Sequence, residues 1–328
     1  MSITDYCSIA DDWERRATIR TRPRRLLEDD EKLIFPLCRQ PLVLSATFVE
    51  HCAQWRDFVL VQSFYKYIND VVIFETEIVD RTARSIAKNR FTLPFPLACR
   101  YDAMSVVVDE DYHAMVALDF LHQTVSMTGI QPLDLPRQIE LSRALPAAQA
   151  QAPTHLRDAV ELIGVAIAEN TVTHEVAAFS RDDSVKSSIR GMMADHLFDE
   201  GRHARFWTSL VHLYWQAASP ADRDSIAQVL PTFLMHYLTN DLQKTFDLQL
   251  IEHLGVSART RCVNASWRWM CVVPIGKTPR NRCRTLGQTR AHRASCSSRP
   301  APVADQKACG SARATWRTLL PGSVAAWN

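Results

Sequence analysis

Apolar residues recur at three- and four-residue steps through most of the first 255 positions. That period marks helices with one buried face. It predicts a first long helix over about 45–88, with Phe64, Ile68, Val71, Val72, Ile78 and Val79 in one stripe. The stretch "FTLPFPLACR" breaks it, because its prolines cannot continue a helix. A second helix is predicted over about 101–128, with Val107, Ala114, Ala117 and Leu121 on one face. A third runs over about 156–179, striped by Leu162, Val165, Ala166, Val172 and Val176. "SRDDS" supplies a cap signal for a fourth helix over about 185–216. "ASPADRDS" separates that helix from a fifth over about 221–254. Residues 1–45, broken by Pro23, Pro36 and Pro41, read as an irregular N-terminal segment, and the Pro-rich stretch from Gly129 to Pro153 as a connection. Strand alternation and internal repeats are absent. The expected fold class is all-α, a helical bundle with additional helices over residues 46–255.

The stripes contain ionisable residues where a core should be apolar. Glu75 lies in line with Ile68, Val71, Val72, Ile78 and Val79, while Glu77 points elsewhere. Glu110 and His113 continue the face of Val107, Ala114 and Ala117. Glu169 sits among Leu162, Val165, Ala166 and Val172. On the fourth helix His196, Glu200 and His203 stack together beside Met192, Met193, Phe206 and Trp207. Buried carboxylates need positive charge nearby, and these stripes hold no Lys or Arg. Bound metal is the economical answer.

A carboxylate-bridged two-metal centre in a four-helix bundle takes one Glu from each of two helices and one Glu-x-x-His from each of the others. Glu75 and Glu169 are the lone carboxylates; "EDYH" (Glu110, His113) and "EGRH" (Glu200, His203) are the pairs. The three-residue offset lets both side chains of a pair reach one metal. With 13 Glu and 11 His in 328 residues, chance supplies about 0.4 such pairs. Two occur, on helices interleaved with the lone-Glu helices. Mixed carboxylate and imidazole donors suit iron, and also manganese. His196, one turn before Glu200, is a surplus to the usual six donors and reads as a third histidine ligand, within reach of the metal of His203 or Glu200. Asp109 and Asp199 precede the two pairs and are candidates to accept the second N–H of a metal-bound imidazole, with Arg202 as a brace.

Charge divides the chain. The segment 256–328 holds eleven Arg and two Lys against one acidic residue, Asp305, so the first 255 residues are net acidic. This basic tail also holds five of the nine Cys and four of the eight Trp and has no helical or strand period. It reads as out-of-frame sequence in preference to a nucleic-acid arm, and no nucleic-acid partner is expected. The N-terminus lacks the apolar core of a secretory signal, and no apolar run is long enough to span a membrane, so a cytoplasmic protein is expected. The Cys lack C-x-x-C spacing and read as free thiols.

Glu75, "EDYH", Glu169 and "HLFDEGRH" together resemble the di-iron N-oxygenases that include p-aminobenzoate N-oxygenase, over roughly residues 45–255. The third His of the last motif distinguishes that family from most ferritin-like proteins. The resemblance implies a ferritin-like bundle, a homodimer, two iron ions, and a secondary-metabolite monooxygenase that uses O₂ to oxidise an amine nitrogen to a hydroxylamine, nitroso or nitro group. The amine is a small molecule, free or carrier-protein-tethered. No Gly-rich nucleotide fingerprint is visible, so an external electron donor is expected. C-hydroxylation or desaturation by the same centre, and non-catalytic iron binding, are the alternatives. Glu75, Glu110, His113, Glu169, His196, Glu200 and His203 are the metal ligands this reading names.

Overall fold

The computed structural model describes residues 6–9, 12–93 and 95–254. The expectation for the basic tail, 256–328, lies outside these residues. Among the described residues the regular structure is helical, and the fold is an all-α, ferritin-like bundle with additional helices. One isolated parallel bridge joins Leu33 to Val185.

Three short helices, α1 (Trp13–Arg16), α2 (Thr18–Thr21) and α3 (Ala46–His51), precede the bundle. Its first rod is α4 (Arg56–Ile73), a π-helical stretch Phe74–Val79 and α5 (Asp80–Ala87) in direct succession. The second is α6 (Leu97–Thr128), ended by Gly129 at φ 69° with its N–H on the Val125 carbonyl. A left-handed residue there closes the helix without the Cβ penalty. The third and fourth rods are α8 (Arg157–Ser180) and α9 (Ser187–Ala217). The rod formed by α4 and α5 packs on α6, α8 packs along α9, and α6 meets α9 to join the pairs. Phe64, Ile68, Val71, Val107, Ala114, Ala117, Leu162, Val165, Ala166 and Val176 of the predicted stripes are all buried.

Several boundaries differ from the sequence expectation. The first helix does not start near residue 45: a 3-10 turn at Ala53–Trp55 separates α3 from α4. The predicted fifth helix is two, α10 (Pro220–Tyr237) and α11 (Asp241–His253). The Pro-rich connection contains α7 (Glu140–Gln151), in which Leu141, Ala144, Leu145 and Ala148 are buried despite Pro146. Pro146 stands in mid-helix and removes the N–H that would reach the Ser142 carbonyl, a loss the buried apolar face offsets. α7 packs against α8 and α10. Their approach is close: a Cβ on Gly164 of α8 would stand 2.5 Å from Leu145 Cδ2 and 2.9 Å from Phe233 Cε2. The "SRDDS" signal makes a turn, with Asp182 accepting from the Ser184 N–H, before α9 begins.

The segment before α3 lies in the groove between α6 and α9. Tyr6 and Ser8 donate to Asp102 of α6, each at 2.6 Å. Further on, Arg24 grips Asp119 of α6 through two bonds, and the Leu27 N–H reaches Gln123. On the α9 side Arg25 pairs with Asp195, and Lys186 pairs with Asp30. Gly191 makes room for this strap, because a Cβ there would meet the Arg25 guanidinium at 2.6 Å. Cys7, Cys52 and Cys99 are free thiols. Among the described residues no helix is long and apolar enough to cross a membrane.

Candidate metal centre

Four rods deliver seven donor side chains to one place in the interior. Glu75 comes from the π-helical stretch, Glu110 and His113 from α6, Glu169 from α8, and His196, Glu200 and His203 from α9. All seven are buried, none more than 8% exposed. Their donor atoms form two overlapping groups, within each of which every atom lies within 4.8 Å of the others. One group is Glu75, Glu110, His113, His196 and Glu200; the other is Glu110, Glu169, Glu200 and His203. Glu110 and Glu200 belong to both groups, which places them to be shared by whatever the two groups hold. His196 falls in the group of His113, not that of His203, and its ring centroid lies 4.2 Å from that of His113. Its Nε2 stands 3.1 Å from Glu200 and 3.3 Å from Glu75.

The interior carboxylates are short of partners. Both oxygens of Glu75 and of Glu169, Oε1 of Glu110 and Oε2 of Glu200 lack a well-formed hydrogen bond. Orphaned buried carboxylate oxygens are costly, and these converge on one point. Burial, then the neighbouring Glu110, pushes the Glu75 carboxyl well above its ordinary range. Burial and Glu200 do the same to Glu169. For Glu110 burial acts upward, but His203, Glu75 and His113 outweigh it and hold the group well below the ordinary range. Glu200 feels the same upward push from burial and from Glu110, yet His196 and His203 bring it down to about 2. Burial and His196 work against protonation of His113, but Asp199 and Glu110 raise it to about 9. Burial likewise opposes His203, and Glu110 and Asp109 raise it well above its ordinary value. The protein alone therefore satisfies this cluster with protons. A cation pair would satisfy the same oxygens better, and the donor set fits two ions of hard-to-borderline character such as iron or manganese.

The histidines are held from behind in a crossed arrangement. His113 presents Nδ1 to Glu110 at 2.9 Å and Nε2 to Asp199 of α9 at 3.3 Å. His203 presents Nδ1 to Glu110 at 3.0 Å and Nε2 to Asp109 of α6 at 3.2 Å. Each aspartate thus serves the imidazole of the opposite helix. A carboxylate only accepts, so without a cation both ring nitrogens carry a proton; a cation would displace the one on Nδ1, which faces the centre, and leave Nε2–H on the aspartate. Arg202 donates to both aspartates, at 2.6 Å to Asp109 and 2.7 Å to Asp199. The strap completes the shell: Trp13 Nε1 donates to Asp109 at 3.0 Å, and Thr18 donates to Asp199 through its N–H and its hydroxyl. Sequence reasoning named Asp109, Asp199 and Arg202 but missed Trp13 and Thr18. Their only signal was that two buried aspartates need more donors than one arginine supplies.

A cavity of about 380 Å³ opens beside His113 and His196. Ile68, Val71, Val116, Phe120, Met192 and Met193 make its apolar wall, and Tyr112, Thr18 and Arg22 to Arg25 of the strap line the rest.

Comparison with known proteins fits this arrangement. The family model "P-aminobenzoate N-oxygenase AurF" matches residues 8–261. A relative, 4-aminobenzoate N-oxygenase of Streptomyces thioluteus, is 22% identical over 242 residues, which is 74% of this chain and 68% of the relative.

Proposed function

The chain belongs to the p-aminobenzoate N-oxygenase family, and on that premise we propose that it oxidises the nitrogen of a small amine with O₂ at a two-iron centre. The observation that carries this reading is the pair of overlapping donor groups sharing Glu110 and Glu200. Glu75, His113 and His196 would hold one iron and Glu169 and His203 the other, with Glu110 and Glu200 common to both. Bound iron supplies the reducing power and the Lewis acidity that activate O₂. The net change is R-NH₂ + O₂ + 2 e⁻ + 2 H⁺ → R-NHOH + H₂O, with the electrons drawn from an external donor. Further rounds would give nitroso and nitro products.

The chain's own residues set the conditions for that change. Asp109 and Asp199 hold the two motif imidazoles by Nε2–H, so Nδ1 of each stays aimed inward, where a cation would replace its proton. Arg202 offsets the charge of both aspartates in a site closed to water. The wall of Ile68, Val71, Val116, Phe120, Met192 and Met193 disfavours an ammonium ion, which keeps the amine lone pair available for oxidation. The exposed apolar residues Leu97, Tyr101, Met104 and Leu118, on one side of α6, support pairing with a second copy of the chain.

A single-turnover experiment tests the reading. Protein loaded with Fe(II) under nitrogen is mixed with O₂ and an arylamine panel, and products are read by mass spectrometry. A gain of one oxygen on nitrogen is expected. Oxidation on carbon, or iron uptake with no amine product, would replace this function by one of its rivals. Glu110→Ala and Glu200→Ala should each lose much of the bound iron.

A further inference from the structure

Residues 12–25 of the strap hold six arginines, Arg15, Arg16, Arg20, Arg22, Arg24 and Arg25, against two acidic residues, Asp12 and Glu14. All six arginines are exposed. Arg15 pairs with Asp12 and Arg20 with Glu14, while Asp119 of α6 takes Arg24 and Asp195 of α9 takes Arg25. Arg22 reaches Asp195 only at 3.6 Å, and both it and Arg16 lie over the Phe198 ring. Among the described residues four carboxylates thus answer six guanidiniums. This strip is a basic exception on a chain whose first 255 residues are net acidic. Trp13 belongs to the same strip. Its ring is half-buried, with the Arg20 guanidinium 5.8 Å from its centroid. Its Nε1–H donates to Oδ1 of Asp109 at 3.0 Å, and Oδ2 of Asp109 meets Nε2 of His203 at 3.2 Å. Two hydrogen bonds therefore join an indole at the surface to a donor of the centre.

We propose that this strip is the docking face for the external electron donor, a small acidic protein that carries one electron at a time, and that the electron enters through Trp13, Asp109 and His203. This rests on the two-iron reading of the centre and names the chemistry of its redox partner. An acidic partner is repelled by the rest of a net acidic surface and drawn to the one place where guanidiniums are in excess. Arginine forks also match surface carboxylates better than lysine would. Electron tunnelling falls off steeply with distance, and less steeply across hydrogen bonds than across gaps. The route from Trp13 to His203 is bonded or hydrogen-bonded throughout. Trp13 serves as a bridge and is not itself oxidised. Each encounter oxidises the carrier by one electron and turns one ferric ion ferrous, so two encounters supply the two electrons of the net change. No covalent bond forms or breaks. The electron arrives on the His203 side, while the cavity opens beside His113 and His196.

Docking is tested by calorimetry on the full iron-loaded chain at low salt. The probes are two acidic one-electron carriers, a plant-type [2Fe–2S] ferredoxin and a flavodoxin. At least one should bind, and its affinity should fall as salt rises. The double variant Arg16→Gln, Arg20→Gln should bind it about three- to tenfold more weakly, with iron content and helical circular dichroism unchanged. Glu14→Gln, which removes negative charge from the strip, should not weaken it. No binding of either probe, a loss in Glu14→Gln, or full affinity in the double variant, which would place the contact on the basic tail, would each overturn the docking face. The route is tested by stopped-flow reduction of the ferric protein, expressed per bound iron. Trp13→Phe keeps a ring and removes the N–H donor. Carrier affinity should hold while reduction by the carrier slows severalfold and reduction by dithionite does not. Slowing of both would make Trp13 a structural support of Asp109, and slowing of neither would take it off the route; either result overturns the route. Carrier-driven amine oxidation as fast in the double variant as in the wild type would sink the docking face and leave the N-oxygenase reading standing. Carrier binding and reduction as expected, with no amine oxidised, would do the reverse.

Discussion

His113 of α6 leans its Nε2 on Asp199 of α9, 3.3 Å away, while the neighbour of Asp199 in sequence, Glu200, belongs to both donor groups of the centre. The matching contact of His203 with Asp109 runs the other way. Positioning of each imidazole is therefore delegated to the opposite helix, and Arg202 ties the two aspartates together.

Asp199→Asn should weaken this arrangement without emptying space. The amide keeps the shape but loses the charge that fixes the His113 tautomer. Iron affinity at the position of His113 is expected to fall about 10–100-fold, read by competition with a chelator. Thr18→Val should show a smaller loss in the same direction. Wild-type affinity in Asp199→Asn would reduce the contact to packing.

Metal loading should release protons. At pH 7 the metal-free cluster retains a proton on His113, which Asp199 and Glu110 raise to about 9 against burial, while burial and then neighbouring carboxylates push Glu75 and Glu169 toward their protonated forms. Iron must displace them, so apparent affinity rises as pH rises toward about 9. Titration with Fe(II) in two buffers of different ionisation enthalpy measures the release. A heat independent of buffer would contradict it.

Asp80, which is not itself one of the seven donors, gives the protein a pH-dependent stability. Burial, then Asp111, raises its carboxyl from 3.8 to about 8, with Arg84 acting the other way. The folded chain thus binds this proton more tightly than the unfolded chain. Its contribution is full below pH 3.8 and is lost as pH climbs to about 8. Asp80→Asn should remove that slope. Urea denaturation at pH 5 and pH 8 should show the variant gaining on the wild type as pH rises; a constant difference would show that Asp80 titrates normally.

Gly164→Ala should destabilise the outer layer. The new methyl group collides with Leu145 of α7 and Phe233 of α10, and both lie in packed surroundings. A loss of about 1–3 kcal/mol is expected in chemical denaturation. An unchanged midpoint would mean that α7 and α10 are free to retreat from α8.

The centre was more legible in the sequence than the structure around it. Glu75, Glu110, His113, Glu169, His196, Glu200 and His203 stood out because each broke an apolar stripe, and helical spacing carries such a break directly into space. α7 was hidden by Pro146 and flanking prolines, although Leu141, Ala144, Leu145 and Ala148 kept the helical period. The strap was hidden for a different reason. It has almost no period of its own, and Trp13, Thr18, Arg24 and Arg25 find their places through partners about 90 or more residues away. Local spacing holds no record of contacts at that separation.

The π-helical stretch Phe74–Val79 sets the rotational phase between two halves of one rod. An α-helix turns roughly 100° per residue, and a π turn accommodates one residue more than an α turn. Deleting a single residue there would let the rod close as a continuous α-helix. The residue absorbed by the π turn would be gone, so Ile68 and Val71 on one side and Val79 and Ala83 on the other would keep their common face, and only the residues between them, Glu75 included, would be re-aimed. A side-chain exchange at half-buried Thr76 leaves that phase intact. What this segment encodes is a residue count: the one residue it adds sets where Glu75 points while the faces on either side stay in line.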